Sequence, residues 1–166
     1  MLKNLIGISF SVLKYRLLGI RTPIVASIGV TSKCNLKCEY CYAEVDNLNG
    51  KDWPFEDLTK IIDQLHAMGT RVIMLRGGEP LLHTRIDDII EYVKSKNIYC
   101  SITTNSYTFS KHLDALKKLD QVQLSVDGNR EIMDNYRGEG AYDQAVLAAK
   151  LCDENKIPFQ RTKNNI

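Results

Sequence analysis

Three cysteines lie close together in the first third of the sequence, at Cys34, Cys38 and Cys41. Intracellular proteins seldom form disulfides, so cysteines with such short spacers usually bind one metal centre. Three thiolates are one fewer than the four that complete a structural zinc site or a fully ligated iron–sulfur cluster. A [4Fe-4S] cluster held by three cysteines keeps one iron open to another ligand, and an open position is typical of a catalytic metal.

Zinc is the alternative metal for these cysteines. A closed zinc site needs a fourth ligand, and the candidates are His66 and His83. Neither histidine stands at a usual zinc-ligand spacing from the cysteines. His66 falls in a predicted helix and His83 just beyond a predicted turn, where packing or surface roles are more common. The spacing therefore favours an iron–sulfur cluster over zinc.

The segment Gly77-Gly78-Glu79-Pro80 follows a predicted buried strand at residues 72–75. Glycine lets the backbone approach a ligand closely, and Pro80 keeps Glu79 out of the α-helical region. Exposed carbonyl groups beside a carboxylate suit a cationic ammonium group. Taken alone, the same pattern also fits an ordinary turn between a strand and a helix, so its interpretation depends on the cysteines.

Together these motifs resemble those of a known family, the radical S-adenosylmethionine (SAM) enzymes. The cysteine spacing, with Tyr40 just before the last cysteine, is similar to the family signature. The segment from Arg76 to Pro80 resembles its second motif, and Ser125-Val126-Asp127-Gly128 stands where its fourth strand ends. The resemblance extends over residues 24–160 and is closest to the branch with molybdopterin-precursor cyclases and peptide-maturing enzymes.

The resemblance implies which residues bind the cofactors. Cys34, Cys38 and Cys41 are expected to hold the [4Fe-4S] cluster, and the segment Gly77-Gly78-Glu79 is expected to meet the amino group of SAM. No catalytic residue beyond the cofactor-binding ones is assigned. The other implied SAM-binding positions are Tyr40 against the adenine, Ser125 and Arg137 at the carboxylate, and Thr103, Asn105 and Asp127 as further cavity-facing candidates.

The implied reaction is the reductive cleavage of SAM. An electron enters through the cluster, and the sulfonium breaks to methionine and a 5′-deoxyadenosyl radical that abstracts hydrogen from a substrate. The protein then supplies ligands, orientation and exclusion of water. The implied partners are a small-molecule or peptide substrate and an electron donor such as flavodoxin or ferredoxin. The sequence does not indicate which substrate is used.

Strand and helix patterns alternate along the chain, which predicts a parallel sheet built from βαβ units. The resulting fold class is α/β, a partial (βα) barrel. Thr84 with Asp87 resembles a capping box at the start of the second predicted helix. The predicted strands lie at 24–30, 72–75, 98–104 and 121–126, and a fifth starts near 158.

The predicted third and fourth strands each have one apolar and one polar face. In the fourth strand Val122 and Leu124 share one face, while Gln123 and Ser125 share the other. Crossover helices must cover the apolar faces, so the polar faces are predicted to line a cavity that holds a polar ligand. The alternative is an antiparallel sheet edge with one solvated face, which the intervening helices disfavour.

The family core usually has six βα units, whereas this sequence contains four and the start of a fifth strand. Residues 23–166 are therefore predicted to be the N-terminal part of a longer radical SAM barrel, truncated after strand 5. The segments that contact adenine later in the family core are missing from the sequence. On this interpretation, the isolated chain is expected to be poorly active.

Residues 1–22 are predicted to form an amphipathic helix before the barrel. Its apolar stretch, residues 5–13, is shorter than the ~20 residues that span a bilayer. Lys14, Tyr15 and Arg16 follow where a signal peptide would have small residues. The helix is expected to pack on the barrel, and peripheral contact with a membrane surface is the alternative.

The composition is that of an ordinary globular domain, with 166 residues, 44% hydrophobic and 25% charged. A formal net charge of +2 argues neither for nor against nucleic acid, and nothing else in the sequence calls for a nucleic-acid partner. Clustered cysteines indicate a reducing compartment, the cytoplasm. Two other function classes stay open: a non-catalytic iron–sulfur or zinc-binding module, and a membrane-surface adaptor that uses the N-terminal helix.

Overall fold

The structure is a computed structural model that describes residues 9, 16–17, 19, 21–41 and 50–162. The predicted N-terminal helix lies mostly outside these residues, although Ser9, Arg16 and Leu17 are helical. Its role therefore stays a prediction. In the described part of the chain, no helix is both long and apolar enough to cross a membrane.

A five-stranded sheet, with strands in the order β1-β2-β3-β4-β5, forms the centre of the fold. Every neighbouring pair is parallel, so the carboxyl ends of all the strands meet at one edge. The predicted α/β class with a parallel, barrel-like sheet is confirmed. The strands are β1 (Val25–Thr31), β2 (Val72–Gly77), β3 (Tyr99–Thr104), β4 (Gln121–Ser125) and β5 (Phe159–Thr162).

Helices connect the strands on the apolar side of the sheet. The first helix has Pro54 as its N-cap residue, and Gly69 ends it in the left-handed conformation at φ 98°. The helices are α1 (Phe55–Met68), α2 (Ile86–Ser95), α3 (Leu113–Leu116), α4 (Arg130–Arg137) and α5 (Ala141–Asn155), with short 3-10 turns at Pro80–Leu82 and Phe109–His112.

The predicted capping box of α2 is wrong. Arg85 is the N-cap residue, and it makes no side-chain capping bond. The backbone N–H and the hydroxyl of Thr84 both donate to Asp52 instead, each at 3.2 Å. An ionised carboxylate is a stronger hydrogen-bond acceptor than a neutral group, so a residue distant in sequence displaces the local cap.

Helix α4 was not predicted from the sequence. Only eight residues long, it buries the single apolar side chain of Met133, so it shows no apolar stripe. Its start is set by Asn129, whose Oδ1 accepts a hydrogen bond from the N–H of Ile132 at 3.0 Å. The helix matters for function because it carries Arg137 in its last turn.

The two faces of the sheet follow the predicted alternation. Val122 and Leu124 are fully buried in the core against the helices. On the opposite face, Thr103, Gln123 and Ser125 line a cavity. The polar side of β3 and β4 thus faces the space at which the carboxyl ends of the strands converge.

Replacing Leu124 by alanine is expected to lower the free energy of unfolding by about 2–5 kcal/mol, because it leaves a cavity in a closed core. Gln121→Ala, at a half-buried position of the same strand, is the control and should change the stability much less. Chemical denaturation of both variants measures the difference. Equal losses would show that the two faces are assigned wrongly.

Candidate active site

A cavity of about 360 Å³ opens at the carboxyl end of the sheet. Its position agrees with the rule that parallel α/β folds place their sites at this end of the strands. Four lining residues were not predicted as site residues: Leu36, Arg76, Thr104 and Gln123. The predicted residues that line the cavity are Cys34, Cys38, Tyr40, Cys41, Gly77, Gly78, Glu79, Thr103, Asn105, Ser125 and Arg137.

The cysteine loop, residues 32–41, and the glycine motif, residues 77–80, are in direct backbone contact. Gly78 donates to the carbonyl of Thr31 at 2.9 Å, and Glu79 donates to the carbonyl of Lys33 at 2.7 Å. A Cβ on Gly77 would lie 2.3 Å from the Thr31 carbonyl oxygen, and its φ of 153° also favours glycine. The glycines therefore let the turn close against the segment that leads into Cys34.

Asp52 holds the same segment from the other side. Its carboxylate accepts from the hydroxyl of Thr31 at 2.7 Å and from the ammonium of Lys33 at 2.8 Å. It also accepts from Thr84, beyond the glycine motif. Burial opposes ionisation, but the bonds from Lys33 and Thr31 outweigh it and lower the pKa of Asp52 to about 2. Asp52 is therefore ionised at neutral pH and positions the entry to the cysteine loop.

The three candidate metal ligands differ in exposure. Cys34 is 7% exposed, Cys38 is half-buried and Cys41 is exposed. Burial raises the pKa of the Cys34 and Cys38 thiols, while a hydrogen bond from the N–H of Leu36 partly opposes this at Cys34. Binding of iron removes these protons, since thiolate is the ligand. Three thiols that line one cavity are a donor set that fits a three-cysteine [4Fe-4S] cluster.

The two histidines considered for zinc have other surroundings. His83 is buried, with Nε2 2.9 Å from the Trp53 carbonyl oxygen and Nδ1 accepting from the N–H of Arg85. His66 is exposed in the last turn of α1. Neither lines the cavity. Within the described ranges, no three His, Cys, Asp or Glu side chains are grouped to hold a single metal ion.

Glu79 fastens the glycine turn to the end of β3. It is 1% exposed, and its carboxylate accepts from the N–H of Leu81 at 3.1 Å, the hydroxyl of Thr104 at 2.8 Å and the N–H of Asn105 at 2.6 Å. Burial raises the pKa of Glu79 to about 7, although these bonds favour the ionised form. A cationic group placed nearby would lower that pKa and ionise the carboxylate.

Asp127 is the one predicted site residue that does not line the cavity. Its side chain is fully buried, and its two oxygens accept from Nε and Nη2 of Arg137 and from the hydroxyl of Tyr40. Burial opposes its ionisation, but the bonds from Arg137 and Tyr40 prevail and lower the pKa of Asp127. The prediction that Asp127 faces the cavity is thus wrong, because an arginine from α4 covers it.

Helix α4 also contacts the cysteine loop. The N–H of Glu39 donates to the carbonyl of Tyr136 at 3.2 Å. The rings of Tyr40 and Tyr136 pack edge to face with centroids 5.9 Å apart. Arg137 lies over the Tyr40 ring at 5.5 Å and also lines the cavity. Tyr40 is therefore held in place beside Cys41 before any ligand arrives.

The matches with known proteins agree with this geometry. Residues 28–166 match the family model of the radical SAM superfamily. The chain belongs to the radical SAM superfamily. Members of this superfamily use a [4Fe-4S] cluster and SAM.

Two relatives of this radical SAM chain and one solved structure with a similar fold illustrate the match. The Fe-coproporphyrin III synthase of Methanosarcina barkeri is 33% identical over 157 residues, covering 88% of the chain and 39% of that protein. A probable GTP 3′,8-cyclase of Methanococcus maripaludis is 40% identical over 104 residues, covering 60% and 35%. Streptococcus suis SuiB bound to S-adenosylmethionine has a similar fold, with a TM-score of 0.79 at 22% identity, covering 93% and 37%. The chain thus spans 39% or less of the length of each protein.

Gly77→Ala is expected to destabilise the radical SAM fold by about 1–3 kcal/mol, because the new Cβ collides with the Thr31 carbonyl. It should also reduce iron loading, since Thr31 leads into the cysteine loop. Gly29→Ala is the matched control, because a Cβ there meets nothing within 4 Å. Denaturation and iron analysis of both variants provide the measurement. Equal behaviour would contradict the close backbone approach.

Glu79 should make stability depend on pH. Its folded-state pKa, about 7, is above the ordinary value of 4.5, so its contribution is full below about pH 4.5 and is lost as the pH rises through 7. The loss is at most about 3 kcal/mol. Glu79→Gln, which cannot titrate, should show a flatter decline of the unfolding free energy between these pH values. The same slope in both proteins would refute the raised pKa.

Proposed function

We propose that this chain acts as a radical SAM enzyme in which Cys34, Cys38 and Cys41 hold the [4Fe-4S] cluster. The observation that carries the proposal is that all three thiols line the same cavity as the Gly77–Glu79 turn and the polar ends of β3 and β4. When bound, the cluster and SAM supply a 5′-deoxyadenosyl radical after one-electron reduction, and this radical abstracts hydrogen from a substrate.

The protein residues have separate parts in binding SAM. The carbonyl groups of Gly77 and Gly78 and the carboxylate of Glu79 are proposed to receive the ammonium group. Because Glu79 is fully buried, an ammonium group close to it would be strongly favoured and would keep the carboxylate ionised. Ser125, at the end of β4, and Arg137 are proposed to meet the carboxylate of SAM.

Asp127 is proposed to act as a positioning residue for this site. Its buried carboxylate accepts hydrogen bonds from both the guanidinium of Arg137 and the hydroxyl of Tyr40. That arrangement sets the ring of Tyr40, which is proposed to lie against the adenine. Thr103 and Asn105 line the cavity on the adjacent strand, and Asn105 also donates to Asn35 of the cysteine loop at 2.9 Å.

The proposed substrate is a small molecule or a peptide. The names of two relatives, an Fe-coproporphyrin III synthase and a GTP 3′,8-cyclase, support a small molecule. A flavodoxin or ferredoxin is proposed as electron donor, in a reducing compartment such as the cytoplasm. Peripheral membrane contact through residues 1–22 lies outside the described residues and stays a prediction.

Anaerobic reconstitution is expected to load about four irons per chain, as a [4Fe-4S] cluster requires. Cys38→Ala should abolish stable loading. Cys152→Ala, in the buried face of α5 and outside the cavity, should not. Iron and sulfide analysis with absorption spectroscopy measures loading. Binding of stoichiometric zinc without uptake of iron would contradict the proposal and favour a zinc-binding module.

SAM cleavage tests whether the loaded chain is an enzyme. Under a strong reductant, the wild-type chain should release 5′-deoxyadenosine at a low rate. Ser125→Ala should weaken SAM binding by about 1–3 kcal/mol if a charge-assisted bond is lost. Ser95→Ala is the control, because its hydroxyl donates to Tyr92 on the exposed surface of α2. Binding of SAM without any cleavage would instead favour the non-catalytic module.

A further inference from the structure

Arg76 has a buried donor with no partner. Its Nε is shielded from solvent and makes no hydrogen bond. No carboxylate in the described residues forms an ion pair with it. The contrast with other arginines of residues 50–162 is clear: Arg71 donates to Thr70, Arg85 to Asp88 and Glu56, Arg130 to Asp143, and Arg137 to Asp127.

The position of Arg76 directs it toward the cavity. Strand β2 alternates, with Ile73 and Leu75 fully buried in the core, so Arg76 belongs to the opposite face and lines the cavity with the cysteines. Its register partner on β1 is Gly29, where a Cβ would meet nothing within 4 Å. At this register position β1 therefore offers no side chain that could accept a hydrogen bond from Arg76.

Two side-chain acceptors at this end of the sheet, Glu79 and Gln123, already accept hydrogen bonds from other groups. Glu79 accepts three hydrogen bonds, from Leu81, Thr104 and Asn105. The side-chain oxygen of Gln123 accepts from Thr103 at 3.0 Å. Of the two arginines that line the cavity, Arg137 is neutralised by Asp127. Arg76 is thus the uncompensated cation among the described lining residues, and a buried donor left unpaired is unfavourable.

We propose that Arg76 is an anion-binding subsite of the cavity and that it takes a carboxylate group. A guanidinium presents a planar fork of N–H donors that matches the two oxygens of a carboxylate. Two sources bring such a group to this cavity: the methionine part of SAM, whose carboxylate would then be shared with Ser125 and Arg137, and a substrate that itself carries a carboxylate. The choice between these sources rests on the proposed function, whereas the subsite itself does not.

The first arm of the test asks whether SAM is the source. SAM and its decarboxylated analogue are titrated into the reconstituted full chain by calorimetry, using wild type, Arg76→Gln and Arg76→Lys. If the SAM carboxylate binds Arg76, Arg76→Gln weakens SAM by about tenfold or more but leaves the analogue unchanged. Arg76→Lys keeps the charge and should lose less. Arg130→Gln, outside the cavity, is the control and should change neither affinity.

The second arm asks whether another carboxylate binds. Acetate, with neutral acetamide as control, is titrated into the full chain without SAM, and the 15N resonance of the Arg76 Nε is followed. That resonance is assigned by its loss in Arg76→Lys. A saturable shift with acetate and none with acetamide supports the subsite. When this shift accompanies an unchanged SAM affinity in Arg76→Gln, the source is a carboxylate of the substrate.

The subsite is overturned if acetate and acetamide act alike and Arg76→Gln either leaves SAM affinity unchanged or weakens SAM and its analogue equally. These outcomes are separable from failure of the proposed function. A chain that loads iron and cleaves SAM but shows none of the Arg76 effects keeps its function and loses the subsite. A chain that takes up no cluster still reports on Arg76 through the acetate titration, which needs neither iron nor SAM.

Discussion

The close approach of two backbone segments, the end of β1 and the Gly77–Glu79 turn, is the constraint on which the site depends. Two hydrogen bonds join them, and a side chain at Gly77 would separate them. This contact places the loop that starts at Cys34 against the turn that ends in Glu79. The proposed cluster ligands and the proposed ammonium site are thereby held close together by backbone hydrogen bonds.

Three carboxylates then stabilise the arrangement, and each acts differently. Asp52 is ionised and ties the start of the cysteine loop to Thr84. The bonds from Arg137 and Tyr40 lower the pKa of Asp127, and through its bond to Tyr40 Asp127 also holds the cysteine loop. Glu79 is buried with hydrogen-bond donors but without an ion-pair partner, so its pKa is near 7. The segment with the cysteines is therefore held by hydrogen bonds to ionised carboxylates, whereas the place proposed for the cationic part of SAM has a carboxylate without an ion-pair partner among the described residues.

The two arginines of the cavity differ in whether a carboxylate compensates their charge. Arg137 is carried by α4 and is matched by a buried aspartate, so its first function is to position neighbouring groups. Arg76 lies on β2 opposite Gly29 of β1, and no protein oxygen among the described residues accepts a hydrogen bond from its Nε. A cavity with one compensated and one uncompensated guanidinium is suited to a ligand that brings negative charge to a defined place.

Local spacing and periodicity were enough to predict the parallel α/β class, the cysteine and glycine motifs and the polar faces of β3 and β4, because each is encoded within a few neighbouring residues. They did not predict α4, whose eight residues bury too little apolar surface to show a stripe. Nor did they predict that Thr84 donates hydrogen bonds to Asp52 instead of capping α2, or that Arg137 covers Asp127. Hydrogen-bond partners are set by proximity in three dimensions, and Tyr40 and Asp127, which bond to each other, are 87 positions apart in the sequence. Only the folded chain therefore decides which carboxylate is paired and which arginine remains available to a ligand.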